Sequence, residues 1–312
     1  MKILVTGGAG FIGSHLAARL VEQGHGVRVL DNLSSGHADN LRAIPGKVQL
    51  LEGDCADPRA AARAVKGVEV VYHQAAIPSV PRSVKDPLES HRANATATVT
   101  LLEAARQAGV RRFIYAGSSS VYGEAAELPK RESMETRPLS PYGVGKLIGE
   151  HYLRIYAHLH GMETLTLRYF NVFGPRQDPG SPYSGVISLF VTTLLKGRTP
   201  VIFGDGKQTR DFTYVDNVVD ANLRALTARG LVGQVVNVAT GRRVTLLALL
   251  RGVARETGRS AKAHHAPARP GDIRHSVADI RRARKLLGYR VVCELEEGLR
   301  KTVEWYRATS AP

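Results

Sequence analysis

Tyr142 and Lys146 have the side chains and the spacing of an acid–base pair. They lie in the segment Ser-Pro-Tyr-Gly-Val-Gly-Lys, in which Pro141 is typical of the first turn of a helix. Residues four apart on a helix lie on one face, one turn from each other. A neighbouring ammonium favours the phenolate, so we expect a lowered pKa for Tyr142 and a base that can take a proton from an alcohol. Because this spacing also occurs by chance, the interpretation needs independent support.

A glycine-rich turn near the N-terminus provides that support. Residues 2–6 are typical of a strand, the turn Gly7-Gly-Ala-Gly10-Phe11-Ile12-Gly13 follows, and residues 14–23 have helical periodicity. Such glycines let backbone N–H groups approach a pyrophosphate at the helix N-terminus. A second strand, 27–31, ends at Asp31, whose carboxylate can accept hydrogen bonds from the ribose of an adenosine. A carboxylate there repels a 2′-phosphate, so the sequence favours NAD over NADP.

The composition is that of an ordinary globular protein. The 312 residues are 43% hydrophobic and 23% charged, and a chain of this length is expected to form two lobes. No apolar run approaches the ~20 residues that span a bilayer, and Met1 leads directly into the first predicted strand, so we expect no signal peptide. Cys55 and Cys293 lack motif spacing and are expected to be reduced thiols in a cytoplasmic protein.

The net charge of +15 comes from 43 Lys and Arg against 28 Asp and Glu. It would attract nucleic acid or a membrane surface, but it also suits a protein with anionic ligands. There is no aromatic interleaving or zinc-finger spacing, so we expect no specific nucleic-acid partner and no membrane partner. The 11 histidines lack spaced cysteine or carboxylate partners, and we therefore predict no metal site.

Strands alternate with helices through the first half of the chain, which predicts an α/β fold with a doubly wound parallel sheet. The predicted strands are 2–6, 27–31, 48–52, 68–72, 112–116, 164–168 and 235–238, the last returning to the first sheet. The predicted helices include 14–23, 94–107, 142–160, 246–256, 280–287 and 295–307. Glycine and proline cluster at 174–182, where we expect a smaller, interleaved C-terminal lobe to begin.

The spacing G-x-x-G-x-x-G with a downstream Y-x-x-x-K resembles the short-chain dehydrogenase/reductase superfamily. The form T-G-G-A-G-F-I-G resembles its extended branch, which acts on nucleotide sugars. The resemblance runs nearly end to end and includes the segments that begin at Arg168, Phe203 and Arg269. It implies a Rossmann-like NAD domain at 1–174, with a returning segment at about 212–240. The nucleotide-sugar lobe would be 175–211 and 241–312.

The resemblance also implies roles for individual residues. The branch has a Ser or Thr three residues before V-Y-G, so the expected catalytic residues are Ser118, Tyr142 and Lys146; by composition alone the segment would be a serine-rich turn. The expected NAD-binding residues are Gly7, Gly10, Phe11, Ile12, Gly13, Asp31, Asn32, Asp54, Cys55, Gln74, Ala75, Ala76, Asn94, Tyr142 and Lys146. The expected substrate-binding residues are Ser79, Ser119, Ser120, Asn171, Val186, Arg210, Arg269, Asp272 and Ser276.

Part of this set would form a clamp for the nucleotide. The resemblance places Asn171, Arg210 and Arg269 on the diphosphate and Asp272 on the uridine ribose. Guanidinium groups suit paired phosphate oxygens. Each arginine alone would be interpreted as a surface charge.

The reaction follows from what two positions lack. Enzymes of the branch begin alike: the tyrosine takes the C4 hydroxyl proton while the C4 hydride passes to NAD⁺. Dehydratases and UDP-glucuronate decarboxylases then use acids beside the catalytic Ser or Thr, where this chain has Ser119 and Ser120. The resemblance therefore implies a UDP-sugar 4-epimerase, which turns the 4-keto sugar over while nucleotide binding retains it.

The resemblance places Ser276 in the segment that lines the sugar pocket, at a position where epimerases restricted to glucose and galactose carry a tyrosine. A small residue leaves room for an N-acetyl group, so we expect an enzyme that accepts both UDP-glucose/UDP-galactose and UDP-GlcNAc/UDP-GalNAc, or one that prefers the N-acetylated sugars. UDP-glucuronate stays open, because Arg82, Lys85 or Arg176 could meet its carboxylate. A dehydratase or decarboxylase of the same family is a further alternative.

A different class also stays open, namely a non-enzymatic NAD-binding scaffold with a basic surface. Such a scaffold has no need for Ser118, Tyr142, Lys146, Arg210 and Arg269 together. Family members often dimerise through two helices per subunit, which correspond to 94–107 and 142–160. We expect a homodimer, although the apolar residues of these helices could equally pack internally.

Overall fold

The computed structural model describes residues 1–124, 127–178, 185–268 and 273–309. Its strands are β1 (Lys2–Thr6), β2 (Gly26–Asp31), β3 (Val48–Glu52), β4 (Val70–His73), β5 (Arg112–Ser118), β6 (Glu163–Tyr169), β7 (Val172–Phe173), β8 (Val201–Phe203), β9 (Thr209–Arg210), β10 (Thr213–Tyr214), β11 (Gln234–Val238), β12 (Val244–Thr245) and β13 (His264–Ala266). Seven of these strands form one sheet, in the order β11-β6-β5-β4-β1-β2-β3. All pairings within it are parallel. The predicted doubly wound, Rossmann-like sheet is confirmed, including the returning strand β11.

The helices cover both faces of this sheet. They are α1 (Phe11–Glu22), α2 (Asp39–Arg42), α3 (Pro58–Val65), α4 (Val80–Lys85), α5 (Pro87–His91), α6 (Ala97–Gln107), α7 (Pro141–His160), α8 (Val186–Leu195), α9 (Val215–Thr227), α10 (Leu246–Thr257), α11 (Arg281–Leu287) and α12 (Leu295–Thr309). The six predicted helices are confirmed with shifted ends. The helix predicted at 94–107 begins with a π-helical turn, Arg92–Thr96, that joins α5 to α6.

The strands of the sheet are almost continuously apolar, because helices cover them on both sides. Ile3, Leu4 and Val5 of β1 are fully buried, and their alternating side chains enter two separate hydrophobic clusters. The predicted strand 68–72 begins later, at Val70, because the Val68 N–H closes a turn on the Val65 carbonyl at 3.0 Å. The carboxyl ends of the strands meet at one edge of the sheet, where a ligand site is expected.

Hydrogen bonds of the Asp211 side chain connect the C-terminal part of the chain to the sheet. Its Oδ1 accepts hydrogen bonds from the Thr240 N–H and hydroxyl, at 3.0 and 2.6 Å. Its Oδ2 accepts from the N–H groups of Gly241 and Ala278, at 2.9 and 3.2 Å. Burial raises the pKa of this carboxyl, and the hydrogen bonds oppose the increase. The Asp211 side chain, directly after β9, therefore connects the loop after β11 with the segment around Ala278.

Short two-stranded ladders complete the C-terminal part: β7 with β10, β9 with β12, and β8 with β13. The β7–β10 pair aligns Phe173 with Tyr214, so the two predicted pieces of the NAD domain meet directly. The division into lobes stays a prediction. None of the helices in the described ranges is both long enough and apolar enough to cross a membrane.

Candidate active site

The glycine turn lies between β1 and α1, where the strand order reverses from β1 to β4. Gly7 has a φ of +64°, and a Cβ on it would lie 2.7 Å from the backbone of Ala75. A Cβ on Gly13 would lie 2.2 Å from the Gly7 carbonyl oxygen. Both positions require glycine, and the resulting bare backbone at a helix N-terminus fits the pyrophosphate of a dinucleotide.

Asp31 binds the glycine turn from the end of β2. Its Oδ2 accepts from the Ala9 N–H and its Oδ1 from the Leu33 N–H, both at 2.9 Å. The neighbouring Asn32 is exposed, and its Oδ1 accepts from the N–H and hydroxyl of Ser34. The predicted acid therefore lies beside the turn, which fits its expected contact with the ribose.

Two further predicted cofactor residues lie after β3. Asp54 accepts from the Ala56 N–H at 2.8 Å and pairs with Arg92 at 2.7 Å. Cys55 is a buried free thiol whose pKa is raised to about 12, chiefly by burial. It is therefore protonated near neutral pH and acts as an apolar wall rather than as a nucleophile.

A buried hydrogen-bond chain, which the sequence analysis missed, connects the two halves of the cofactor site. The Ala75 N–H donates to Thr6 Oγ1 (3.3 Å), which lies 2.7 Å from His73 Nδ1. His73 Nε2 lies 3.0 Å from Thr98 Oγ1, which donates to the Asn94 carbonyl (2.6 Å). Since Thr98 donates onward, His73 must donate from Nε2 and accept at Nδ1. Burial lowers the pKa of His73 to about 3, so the ring is neutral.

Asn94 and Gln74 were predicted to contact NAD, but their amides are engaged by the protein. Asn94 accepts from the Ile77 N–H (3.2 Å) and donates to the Ser90 carbonyl (2.9 Å), so it holds the loop after β4 from beneath. Gln74 accepts from the Tyr169 hydroxyl (3.1 Å) and donates to Asn222 (3.3 Å). Both side chains thereby fix the position of the backbone around Ala75 and Ala76.

The three predicted catalytic residues come together at the end of β5. Tyr142 is the second residue of α7, which Ser140 caps by accepting from the Gly143 N–H at 3.1 Å. Ser118, the last residue of β5, lies beside the phenol of Tyr142 and acts to lower the pKa of that phenol. Lys146 lies one turn along α7, with its Nζ 5.9 Å from the centre of the Tyr142 ring.

The pKa shifts of this pair are governed by burial. The pKa of Tyr142 is raised because its phenolate would be desolvated, and the neighbouring Ser118 only partly opposes this. The pKa of Lys146 is lowered to about 7 by burial, which the carboxylate of Glu150 opposes. The predicted lowering of the Tyr142 pKa is therefore wrong in direction, because desolvation of the phenolate is the largest effect on it.

The substrate residues divide into two groups. Ser119 and Ser120 form the 3-10 turn Ser119–Tyr122, and both the N–H and the hydroxyl of Ser120 donate to Ser118 Oγ. Ser79 caps α4 by accepting from the Arg82 N–H at 3.1 Å. Ser79 therefore lies beyond the carboxyl end of β4, and Ser119 and Ser120 lie beyond that of the neighbouring strand β5.

The second group lies around β9. The Asn171 amide donates to the Asp211 carbonyl (3.1 Å), next to Arg210, whose Nη1 donates to the Thr209 carbonyl (3.0 Å). The N–H of Ser276 donates to the same Thr209 carbonyl, at 3.1 Å. The structure thus brings Asn171, Arg210 and Ser276 together. Val186 begins α8 and packs against the core, whereas Arg269 and Asp272 lie outside the described residues.

The sheet, the glycine turn and the Tyr142–Lys146 pair define the class of dinucleotide-binding enzymes with a short-chain dehydrogenase fold. Residues 3–239 match the model of the NAD dependent epimerase/dehydratase family, and the chain belongs to that family. This confirms the resemblance seen in the sequence.

Similar proteins share almost the full length of the chain. The UDP-glucose 4-epimerase of Mycolicibacterium smegmatis is 44% identical over 99% of this chain and 100% of the relative. The UDP-glucose 4-epimerase of Thermotoga maritima, solved with UDP-glucose, is 40% identical with a TM-score of 0.95 over 100% of both chains. The enzyme of the same name from Thermus thermophilus, solved with NAD, is 38% identical with a TM-score of 0.91 over 98% and 99%.

These comparisons confirm NAD as the cofactor of the family and place the chain among UDP-sugar epimerases and their relatives. The names of other similar proteins vary in reaction and sugar. They include a UDP-N-acetylglucosamine 4-epimerase at 37% identity and a UDP-glucuronic acid 4-epimerase at 33%. A UDP-N-acetyl-alpha-D-glucosaminuronate decarboxylase is 31% identical.

Proposed function

We propose that the chain is an NAD-dependent UDP-sugar 4-epimerase that interconverts UDP-glucose with UDP-galactose and UDP-GlcNAc with UDP-GalNAc. The observation that carries this proposal is the Ser118, Tyr142 and Lys146 cluster beside a serine turn without carboxylates. The alcohol chemistry of the cluster and the full-length similarity to UDP-glucose 4-epimerases support it.

Each residue of the cluster has a proposed task. The Ser118 hydroxyl holds the C4 hydroxyl of the sugar against Tyr142, which takes its proton and later returns it to the other epimer. Lys146 supplies a positive charge that favours the phenolate during the transfer. NAD, when bound, supplies a reversible acceptor for the C4 hydride. The site therefore ends each cycle with the protons and hydride it began with.

The serine turn separates epimerisation from the sister reactions. Elimination of water across C5 and C6 needs an acid and a base beside the 4-keto sugar. The side chains next to Ser118 are the hydroxyls of Ser119 and Ser120, and that of Ser120 is bonded to Ser118 at 2.9 Å. Neither group ionises near neutral pH, so the 4-keto sugar is left to rotate and accept the hydride on its other face.

The sugar specificity is proposed to depend on Ser276. This small residue is held beside Arg210, because the Ser276 N–H and Arg210 Nη1 both donate to the Thr209 carbonyl. A diphosphate on Arg210 would direct the attached sugar towards Ser276, where an N-acetyl group would need space. We propose that this space admits N-acetylhexosamines.

A second candidate substrate is UDP-glucuronate, and Arg176 favours it. Its Nη1 is buried without a hydrogen-bond partner among the described residues, and burial lowers the pKa of its guanidinium. A guanidinium with a buried, unpaired N–H group favours a carboxylate ligand. Arg82 is less suitable, because it already forms a two-pronged ion pair with Glu89 at 3.0 and 2.6 Å.

We further propose a homodimer that covers an apolar stripe on α7. The stripe consists of Val144, Tyr152, Ile155 and Leu159, which lie on one helix face and are exposed. Beside it, a cleft of 540 Å³ is lined in part by Leu88, which is 82% exposed. A continuous apolar surface of this kind marks an interface, and a second copy of the same stripe is a self-complementary partner.

We also propose a division of the chain into two lobes and a cellular compartment for the enzyme. Residues 1–174 with 212–240 would bind NAD, and 175–211 with 241–312 would bind the nucleotide sugar. The buried free thiols Cys55 and Cys293 support a reducing compartment such as the cytoplasm. We assign the +15 charge to attraction of the anionic ligands.

The function is tested by proton NMR of purified protein with UDP-glucose, UDP-GlcNAc and UDP-glucuronate in separate samples. Appearance of the C4 epimer without added reductant is the expected result for the first two sugars, with Tyr142→Phe as the inactive control. A product lighter by water or carbon dioxide would contradict the proposal and indicate a sister reaction. Epimerisation of UDP-glucuronate alone would favour the second candidate.

A further inference from the structure

Three charged side chains are buried together: Lys146, which is one of the proposed catalytic residues, and Glu150 and Arg168, which are not. The side chains of Glu150 and Arg168 are 4% and 5% exposed, and Lys146 is 2% exposed as a residue. Burying charges is unfavourable unless they are paired and hydrogen-bonded. The role of Lys146 belongs to the proposed reaction, but that reaction does not use Glu150 or Arg168. Their burial needs a separate explanation.

Glu150 is held in one orientation. Arg168 donates from Nε to Oε1 at 3.0 Å and from Nη2 to Oε2 at 2.7 Å, which is a two-pronged pair. The guanidinium of Arg168 lies 4.7 Å from the centre of the Tyr122 ring, whose hydroxyl donates to Asn237 at 2.6 Å. The carboxylate is therefore fixed by β6 and by the 3-10 turn after β5.

The fixed carboxylate acts electrostatically on the ammonium of Lys146. Glu150 follows Lys146 by one turn of α7, so the two side chains share a helix face. Glu150 Oε1 lies 3.3 Å from where a Cβ on Gly117 would be. Lys146 Nζ donates to the carbonyl of Ala116, the preceding residue, at 2.9 Å. Both groups thus meet the same short stretch of β5, directly before Ser118.

We propose that Glu150 is a positioning residue that keeps the buried amino group of Lys146 protonated, and that Arg168 holds Glu150 in place for this purpose. The catalytic consequence rests on the proposed function, whereas the effect on the charge of Lys146 does not. With all three groups ionised the cluster carries one net positive charge, which the phenolate of Tyr142 would neutralise when it forms. The arrangement therefore matches the charge of the reacting base without leaving a buried excess.

The other groups around Lys146 do not supply a negative charge like that of the Glu150 carboxylate. Those that face it from neighbouring elements are His73 on β4, Tyr115 on β5, Tyr142 on α7 and, across Glu150, Arg168 on β6. His73 and Tyr115 are neutral near pH 7, because burial lowers the pKa of the first and raises that of the second. Burial lowers the pKa of Lys146 to about 7, and Glu150 is the carboxylate that raises it.

The proposal is tested on the full-length protein with ¹³C-labelled lysine. The Lys146 signal is assigned as the one missing in Lys146→Met, and its titration is followed by NMR. In Glu150→Gln the midpoint should fall by about one pH unit or more, because Arg168 then acts on Lys146 unopposed. The double variant Glu150→Gln with Arg168→Met also lacks the Arg168 cation that disfavours protonation of Lys146. Its Lys146 midpoint should therefore fall less than that of Glu150→Gln alone. Asp220→Asn, which breaks the ion pair of Asp220 with Arg224 at 2.6 Å on α9, is the matched control and should change nothing.

A Lys146 midpoint that is unchanged in folded Glu150→Gln would overturn the proposal. So would a double variant with a larger shift than the single one. If Glu150→Gln does not fold, Glu150→Asp keeps the charge but withdraws it by one methylene, and a smaller fall in the midpoint is expected. The alkaline limb of kcat for sugar epimerisation should move with the NMR midpoint while KM stays constant. A titration shift in a protein without epimerase activity would retain this proposal and reject the proposed function.

Discussion

The imidazole of His73 accepts a hydrogen bond from the hydroxyl of Thr6 at 2.7 Å, and both residues are completely buried. This contact joins the ends of β1 and β4, the two neighbouring strands between which the strand order reverses. Because Thr6 also accepts from the Ala75 N–H, the position of the loop over the glycine turn depends on one hydroxyl group.

Replacement of Thr6 by valine should therefore weaken both folding and NAD binding. The change leaves a buried imidazole nitrogen and a partly buried N–H unsatisfied, and we expect a loss of about 1–3 kcal/mol in the free energy of unfolding. Urea unfolding and the affinity for NAD measured by calorimetry test this. Thr6→Ser keeps the hydroxyl and is the control. A valine variant with the NAD affinity of the serine variant would contradict the role given to the hydroxyl.

Acid should destabilise the protein through His73. The pKa of the folded-state imidazole is lowered to about 3 from 6.5, so between these values the unfolded chain binds a proton that the folded protein does not. Stability is then lost as the pH falls below 6.5, with a slope of up to about 1.4 kcal/mol per pH unit from this group. Urea unfolding from pH 4 to 8 should give a shallower pH slope for His73→Gln than for the wild type. Equal slopes would show that His73 does not contribute.

Gly13→Ala should abolish retention of NAD. The added Cβ would lie 2.2 Å from the Gly7 carbonyl oxygen, so the turn must open and its N–H groups move. Gly26→Ala is the control, because its nearest neighbour is 3.8 Å away at the start of β2. The ratio of absorbance at 260 and 280 nm of the purified protein, with NAD released by denaturation, measures the result. Wild-type NAD content in Gly13→Ala would place the cofactor elsewhere.

Ser276→Tyr should separate the two proposed substrate pairs. The larger side chain fills the space for an N-acetyl group, and we expect turnover of UDP-GlcNAc to fall at least about 100-fold, which corresponds to the ~3 kcal/mol upper range for steric discrimination. Turnover of UDP-glucose should change little, and Ser276→Ala should keep both activities. Coupled rate measurements on both sugars test the steric account. Retained UDP-GlcNAc turnover in the tyrosine variant would disprove it.

The apolar stripe of α7 should control the oligomeric state. Combined Ile155→Glu and Leu159→Glu would place charges in the proposed interface, and light scattering should then give the mass of a monomer rather than a dimer. Val292→Glu adds a charge at another exposed apolar residue and is the control. A dimer that survives the stripe variant would use a different surface.

The sheet could be predicted from the sequence because its strands are buried runs of β-branched and aliphatic residues between turn signals. Even β11 is evident from such a run, although about 65 residues separate it from β6. The ladders β7–β10 and β9–β12 have two residues per strand, too few for any periodicity to show. Helix α9 follows β10 directly without a side-chain cap, so Asp216 in its first turn is a weak signal of where it begins.

The site was predictable where short motifs carry it, as for Tyr142 and Lys146. The Thr6–His73–Thr98 chain was not, because its members are 67 and 25 positions apart and touch only in the folded protein. The direction of the Tyr142 pKa depends on burial, which a motif does not reveal. The roles of Arg269 and Asp272 stay predictions.

The four hydrogen bonds of Asp211 bear on how a nucleotide would be captured. Asp211 follows Arg210 directly and is tied to Thr240, Gly241 and Ala278, the last of which is two residues from Ser276. Arg210, proposed for the diphosphate, and Ser276, proposed for the sugar, are therefore immobilised together when the chain folds. The entropy cost of ordering these residues is therefore incurred when the chain folds. Because it is not incurred again when the ligand binds, it does not reduce the affinity for the ligand.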